Sequence, residues 1–270
     1  MEEKAYILGT EQAELHRLGL QHQVWAAEAR KGWELGGFRP GQTILDLGCG
    51  PGFCTLELAF VVGNAGKVIG VDISPKFVQT VQKQAVLHNL PIELRTCSFD
   101  ELELEPASLD GMFCRWALAW VPNPDKVLAK VKNALKPGAR MVIQEYFDWT
   151  TFQPEPPLPH LKKGIAAAYR SMKHEQPGDI DVGRRIPAIA ASLGLNVLSV
   201  RSISKLARPT DLTWEWPNSF LKIYLPKLIE MGLISAQEVE AALRELAELT
   251  AMPQAMILCP TVVEMVFQKG

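Results

Sequence analysis

Cysteine is scarce and carries no pairing pattern. The chain of 270 residues has five, Cys49, Cys54, Cys97, Cys114 and Cys259, with no C-x-x-C pair and no Cys/His cluster at metal-ligand spacing. A disulfide framework and a structural metal are therefore not expected, and the thiols read as reduced and mostly buried. Also missing is any stretch of about 18 apolar residues, which argues against a membrane span. The first residues, MEEKAYILGT, are charged from position 2 and lack the apolar region of a secretory leader, so the expectation is a cytoplasmic protein with no membrane partner. Runs of Lys or Arg are absent too. With 28 basic against 30 acidic residues the net charge is -2, and no stripe suited to tracking phosphates appears, so nucleic acid is not the expected partner. There is no internal repeat and no low-complexity segment.

What is present is an ordinary folding composition, 47% hydrophobic and 21% charged. The leading segment from Thr10 to Leu35 places Leu15, Leu18, Trp25 and Ala29 at near-helical spacing and ends at Gly36-Gly37, so it predicts a helix outside any sheet. Strands and helices then alternate. TILDL (43–47), KVIGVD (67–72), PIELRT (91–96), residues 109–114 and ARMVIQEYF (139–147) read as strands, with helices between them opened by Ser74-Pro75 and Asn123-Pro124. Such alternation predicts an α/β fold with a Rossmann-like, open, mainly parallel sheet covered by helices on both faces, because parallel neighbours need crossover connections. After Asp148 the proline-rich TTFQPEPPLPH cannot continue a central strand and opens an insertion. A helix stopped by Gly194 and a strand in NVLSVRSISKL follow; a second insertion then runs to about Leu258, with a Trp-rich helix and a Ser235/Glu238 capping box, before TVVEMVFQK returns as the last strand.

The informative motif is ILDLGCGPG (44–52). Gly48, Gly50 and Gly52 follow a strand directly, so the backbone can turn sharply and approach a ligand without side-chain obstruction. A dinucleotide fingerprint would need glycine at position 53, where Phe53 stands. Asp46, just before the loop, would repel a pyrophosphate but attract an amino group or a sulfonium. Asp72 ends the second strand 20 residues after Gly52, where a carboxylate can accept both hydroxyls of an adenosine ribose.

With these residues the chain resembles the class I S-adenosylmethionine-dependent methyltransferases, of the small-molecule, UbiE-like type. The resemblance rests on D-x-G-C-G-x-G, on the acid after the second strand and on KPGARMVIQE (136–145), and covers about residues 40–147. It implies a seven-stranded sheet and S-adenosyl-L-methionine as cofactor. It further implies that Gly48, Cys49 and Gly50 line the methionine end, that Asp46 holds the amino group, that Asp72 and Ile73 lie at the ribose, and that Ser98 and Phe99 lie at adenine, with Asp100 the alternative acid. Arg115 and Trp116 occupy the stretch beneath the transferred methyl. A leading helix closes over the cofactor in similar small-molecule members, which makes Tyr6, Arg17 and Gln21 candidates for that contact.

The resulting division is a single methyltransferase domain over 1–270, with a helical cap at 1–38, a cofactor-binding core at 40–147 and a helical lid built from insertions at 150–182 and 207–258. The expected reaction is methyl transfer by direct displacement to a small, apolar or aromatic acceptor, in a monomer or homodimer. Displacement mainly requires alignment in a water-poor site. Should a base be needed, Glu145, Tyr146 and His160 stand at or beyond the end of the fifth strand, where open α/β sheets put their sites; His16, His22, His88 and His174 read more simply as surface or packing residues. Asp179, Asp181, Arg184 and Arg185 read equally as a polar clamp or as a helix cap with exposed pairs. Trp116, Trp216, Phe220 and Tyr224 are the candidates for facing the acceptor; the alternative is that such a stripe only packs the lid. Two other functions stand beside this one: an NAD(P)-dependent oxidoreductase, and a cofactor-binding module without catalysis.

Overall fold

Alternation of side chains along each strand sorts the hydrophobic residues of this protein onto two faces of one sheet. The computed structural model describes residues 12–270, so Tyr6 lies outside the described residues. Helix α1 (Gln12–Gly36) leads into β1 (Thr43–Leu47), α2 (Phe53–Val62), β2 (Lys67–Asp72), α3 (Pro75–Leu87), β3 (Ile92–Thr96), β4 (Leu109–Arg115), α4 (Pro124–Ala134) and β5 (Leu135–Asp148). The first five strands are parallel to one another, in the order β3-β2-β1-β4-β5. Within β1, Ile44 joins one core with Phe113 and Val142, while Leu45 and Leu47 join the other with Met112, Cys114, Met141 and Ile143. This is the period-two pattern of a sheet covered on both faces. Each such side chain, wholly buried, contributes roughly 1.5–3 kcal/mol of apolar transfer.

The local signals act where the sequence places them. Ser74 accepts the Phe77 amide at 3.4 Å with Pro75 at the first helical position of α3, and Ser235 and Glu238 close a full capping box. The last strand, β10 (Thr261–Lys269), inserts antiparallel between β5 and the edge strand β7 (Leu195–Ser202), completing the seven-stranded sheet. Between these strands the chain makes two excursions beyond the carboxyl end of the parallel strands. The first carries β6 (Gln153–Glu155) and α5 (Pro159–His174), and α6 (Ile186–Ser192) then leads back into β7; the second carries β8 (Leu206–Ala207), α7 (Glu215–Glu230), α8 (Ala236–Thr250) and β9 (Met256–Leu258). The excursions are largely helical and also carry three short strands. β6, β9 and β8 pair antiparallel into a small three-stranded sheet that ties the two together. Strands of two or three residues carry no readable periodicity.

Helix α1 is fastened across the sheet. Gln144 Nε2 on β5 donates to the Glu28 carbonyl at 3.0 Å and to the wholly buried Glu264 carboxylate on β10 at 2.7 Å, and Arg201 on β7 reaches the same Glu264 at 2.6 Å. Its one apolar face packs Ala29 and Trp33 against Phe113, with the last two rings edge to face at 5.7 Å. No helix among the described residues is long and apolar enough to cross a membrane.

Candidate active site

The cleft lies outside the carboxyl ends of β1, β2 and β4, where an open α/β sheet reverses its strand order. Its volume is about 580 Å³. The loop after β1 enters it with two glycines that play different parts. Gly48 has φ +77°, and a Cβ there would lie 2.2 Å from that of Ala117, so the loop packs directly on the turn after β4. Gly50 has φ +54°, and a Cβ there would meet nothing within 4 Å: the space beside it is cleft, not protein.

Asp72 closes the loop from below. Its Oδ2 accepts the Gly50 amide at 2.8 Å and its Oδ1 the Ser74 amide at 2.9 Å, while burial pushes its carboxyl pKa up against those bonds. A carboxylate has about four lone-pair sites, so acceptor capacity remains for a ligand. Asp46 is 2% exposed and accepts the Thr55 hydroxyl at 2.6 Å; burial raises its pKa to about 6.

Arg115, the last residue of β4, is set by a relay that the sequence did not single out. Its Nη2 faces His22 Nδ1 at 3.3 Å, and His22 Nε2 faces Glu57 at 3.0 Å, which Arg30 grips in turn with two bonds of 2.9 Å. A guanidinium only donates, so Nδ1 accepts and Nε2 carries the proton toward Glu57. Burial and the Arg115 charge lower the His22 pKa, keeping it in that neutral tautomer. The other terminal nitrogen, Arg115 Nη1, is buried with no hydrogen-bond partner in the structure. Nothing in sequence spacing links residues 22, 57 and 115; only the packing of α1 on α2 does.

The next residue, Trp116, sits at φ +55°, a conformation a bulky side chain rarely adopts. It is held there by its amide, which donates to the Gln144 carbonyl at 3.0 Å, and by two parallel ring contacts, to Tyr146 at 5.5 Å and Trp216 at 5.8 Å. Trp25 meets both indoles edge-on, at 5.1 Å and 4.9 Å. Behind this stack opens a second, smaller cavity of about 50 Å³, lined by Tyr146, Trp149, Phe152, Met172, Ile180, Trp216, Pro217, Phe220, Pro260 and Arg17. Gln21, Trp116 and Trp120 line both cavities and so form the wall they share.

Of the residues expected at the cofactor, Asp46, Gly48, Cys49, Gly50, Asp72, Ile73, Ser98, Phe99, Arg115 and Gln21 line the larger cleft, with Asp100 beside them, whereas Arg17 lines only the smaller chamber. Ser98 is engaged with the Glu101 carboxylate at 2.8 Å. Of the acceptor-facing candidates, Trp116, Trp216 and Phe220 line the small chamber. Tyr224 does not: it is wholly buried and its hydroxyl bonds Ser171 at 2.6 Å, joining α7 to α5. Two of the candidate bases also stand elsewhere. Glu145 is wholly buried and lines neither cavity, because alternation on β5 turns it away from the side taken by Tyr146; its Oε1 accepts the Leu118 amide at 2.8 Å and holds the turn after Trp116. Burial raises its pKa to about 8. His160 is exposed at the start of α5 and lines neither cavity. The Asp179–Arg185 segment is a structural knot: Asp181 accepts the Trp149 amide at 2.9 Å, Tyr169 at 2.8 Å and Lys173 at 3.1 Å. Among the described residues no group of His, Cys, Asp and Glu could hold a metal ion.

The donor set fits a zwitterionic nucleoside. The cleft offers an unpartnered guanidinium nitrogen for a carboxylate, a buried acid for an amino group, a carboxylate with remaining acceptor capacity for a diol, and Ile73 and Phe99 as apolar flanks for a base. The sequence matches the methyltransferase-domain family over residues 38–180. Among curated relatives it is 33% identical over 172 residues to an uncharacterized 37.1 kDa protein in transposon Tn4556 of Streptomyces fradiae, covering 63% of this chain and 48% of that protein. It is also 32% identical over 128 residues to a 2-phytyl-1,4-naphtoquinone methyltransferase of Trichormus variabilis, covering 47% and 55%. The chain thus spans about half the length of these curated relatives. Its fold is similar to that of a methyltransferase solved from Bacillus halodurans, with a TM-score of 0.61 at 11% identity over 90% of this chain and 99% of that one. Sheet, glycine loop and the acid that ends β2 together define a Rossmann-like methyltransferase fold. The chain belongs to the methyltransferase-domain family.

Proposed function

We propose that this protein is an S-adenosylmethionine-dependent methyltransferase acting on a small, apolar or aromatic acceptor of the quinone or quinol class. The observation that carries the reading is the wall shared by the two cavities: the cleft that fits the cofactor and the aromatic chamber meet at Gln21, Trp116 and Trp120. The name of the naphthoquinone-methylating relative supports the ring-bearing acceptor class.

S-adenosylmethionine supplies an electrophilic methyl on a sulfonium. The residues of the chain bind, orient and keep the site dry. Asp72 holds the ribose hydroxyls, Asp46 the amino group and Arg115 Nη1 the carboxylate, which fixes one reactant in place. The aromatic walls hold the acceptor ring and exclude water. Among the described residues, Tyr146 and Arg17 are the only titratable side chains lining the chamber; in this reading the acceptor brings its own nucleophilicity, and the protein contributes alignment. An oxidoreductase reading has no support in a loop where Phe53 replaces the glycine a dinucleotide would need.

The test is calorimetric titration with S-adenosylmethionine and S-adenosylhomocysteine, followed by assay of S-adenosylhomocysteine release with a panel of reduced naphthoquinones and phenols. Binding with turnover on a ring-bearing acceptor is the expected result. Failure of both cofactor forms to bind would overturn the reading.

A further inference from the structure

The hydrogen-bonding groups of the chamber narrow what its occupant must carry. Gln21 Oε1 accepts from Arg17 Nη1 at 2.9 Å and from Trp216 Nε1 at 3.1 Å. A guanidinium and an indole can only donate. The amide orientation is therefore settled by chemistry, with oxygen toward Arg17 and Trp216 and the NH₂ directed away from them. That NH₂ has no hydrogen-bond partner among the described residues, and Gln21 stands in the wall common to both cavities. Two residues that line the chamber, Trp116 and Trp149, carry further donors, indole N–H groups that are buried without partners. Such orphans are costly unless a ligand satisfies them. Among the described residues that line the chamber there is no carboxylate and no histidine, and their one cation, Arg17, is bonded by both oxygens of the buried Glu14 at 2.6 Å and 2.8 Å.

Cation–π attraction requires an open ring face. Trp116 lies parallel to Tyr146 and to Trp216 and already has the Arg115 guanidinium 5.1 Å from its centroid, and Phe220 stacks on Tyr224 at 5.2 Å. Ring edges, which carry partial positive charge, favour lone pairs. At about 50 Å³ the chamber is smaller than the roughly 150 Å³ cavity that accepts a benzene ring. A ring bound here straddles the shared wall and brings its substituent to Gln21 and Trp116.

Resting on the acceptor site assigned above, we propose that this chamber is a donor-rich pocket that selects a planar ring bearing an oxygen lone pair, as a ring carbonyl or phenolate, over an ammonium of the same shape. Gln21 is its specificity-determining residue, and the indole N–H of Trp149 is a further donor.

The experiment uses three single-ring probes of one skeleton, acetophenone, ethylbenzene and 1-phenylethylammonium, titrated by ligand-observed NMR into the whole protein with S-adenosylhomocysteine present. Acetophenone is expected to bind at least about tenfold more tightly than either analogue, the effect of one well-made hydrogen bond. Gln21→Glu keeps an acceptor for Arg17 and Trp216 but replaces the NH₂ by a carboxylate oxygen, and is expected to shift preference toward the ammonium by tenfold or more. Trp149→Phe keeps a ring and removes an N–H, and is expected to lower only acetophenone affinity, so the idea remains testable should the first variant misfold. Equal binding of acetophenone and ethylbenzene, tighter binding of the ammonium, or absence of ketone binding in the unmodified protein would overturn the proposal. So would folded variants with unchanged ratios. S-adenosylhomocysteine affinity is measured separately; its absence alongside a retained ketone preference would reject the methyltransferase reading and leave the selectivity standing.

Discussion

Asp72 and Gly50 are joined by one hydrogen bond of 2.8 Å, from the loop amide to the carboxylate that ends β2. The acid thus fixes the loop's shape as well as facing the cleft. Asp72→Ala is expected to weaken S-adenosylmethionine binding by on the order of 1.5–3 kcal/mol, roughly ten- to hundredfold, with the fold retained. Calorimetry on a variant of unchanged circular dichroism checks this, and unaltered affinity would refute the ribose role.

The two loop glycines should separate stability from binding. Gly48→Ala forces a Cβ to 2.2 Å from Ala117 at φ +77°, so it is expected to lower the melting temperature by several degrees. Gly50→Val meets no protein atom within 4 Å, so beyond the strain of φ +54° its cost should appear as lost cofactor affinity. Thermal melts and calorimetry on both variants decide it; equal melting losses with normal binding by Gly50→Val would place the cofactor elsewhere.

Asp46 gives a pH signature. Its folded pKa is raised to about 6, so the stability its neutral form contributes is present below the ordinary carboxyl range and is lost as pH rises through about 6. A bound ammonium favours the ionised form, so cofactor affinity should rise as pH increases through the same window. Asp46→Asn is expected to be more stable than the parent above pH 6 and to show weaker, pH-independent binding. Titrations at several pH values between 5 and 8 test this, and an identical pH profile for parent and variant would reject it.

Glu145 should show the same sign in a higher window. Its pKa is raised from 4.5 to about 8, so stability falls as pH rises from one value to the other. Glu145→Gln keeps an acceptor for the Leu118 amide and should flatten that slope while leaving acceptor kinetics near normal. Melting curves at pH 5, 7 and 8.5 are the measurement; a slope as steep in the variant would show that another group titrates.

Tyr224→Phe removes the bond to Ser171 without touching either cavity, and is expected to cost about 1 kcal/mol of stability with acceptor KM unchanged. Trp216→Ala, which opens the chamber and frees Gln21, should raise acceptor KM instead. Parallel changes in both variants would mean that the aromatic stripe acts only as packing.

The parallel half of the sheet was legible because each strand is bounded by glycine, proline or a helix cap, and because both ends of the cofactor cleft fall in one uninterrupted α/β stretch. The cleft residues follow from strand ends: Asp46, Gly50 and Asp72 are where the pattern puts them. Long-range packing was not legible. His22 looks like any helix histidine until α2 brings Glu57 to it and β4 brings Arg115. Position relative to a strand end also misled for Glu145, since a one-residue step along β5 reverses the side chain, and for His160, which a proline-rich segment carries to the surface.

The small sheet of β6, β9 and β8 has a kinetic consequence. Gln153 on β6 pairs with Leu258 on β9 across 105 residues, whereas Thr43 on β1 pairs with Lys67 on β2 across 24 and Ile44 with Gly111 on β4 across 67. Loop closure of that kind is slow compared with the nearest-neighbour pairing of β1, β2 and β4. During folding, the protein should acquire the ability to hold a nucleoside before it acquires a place to put the second reactant.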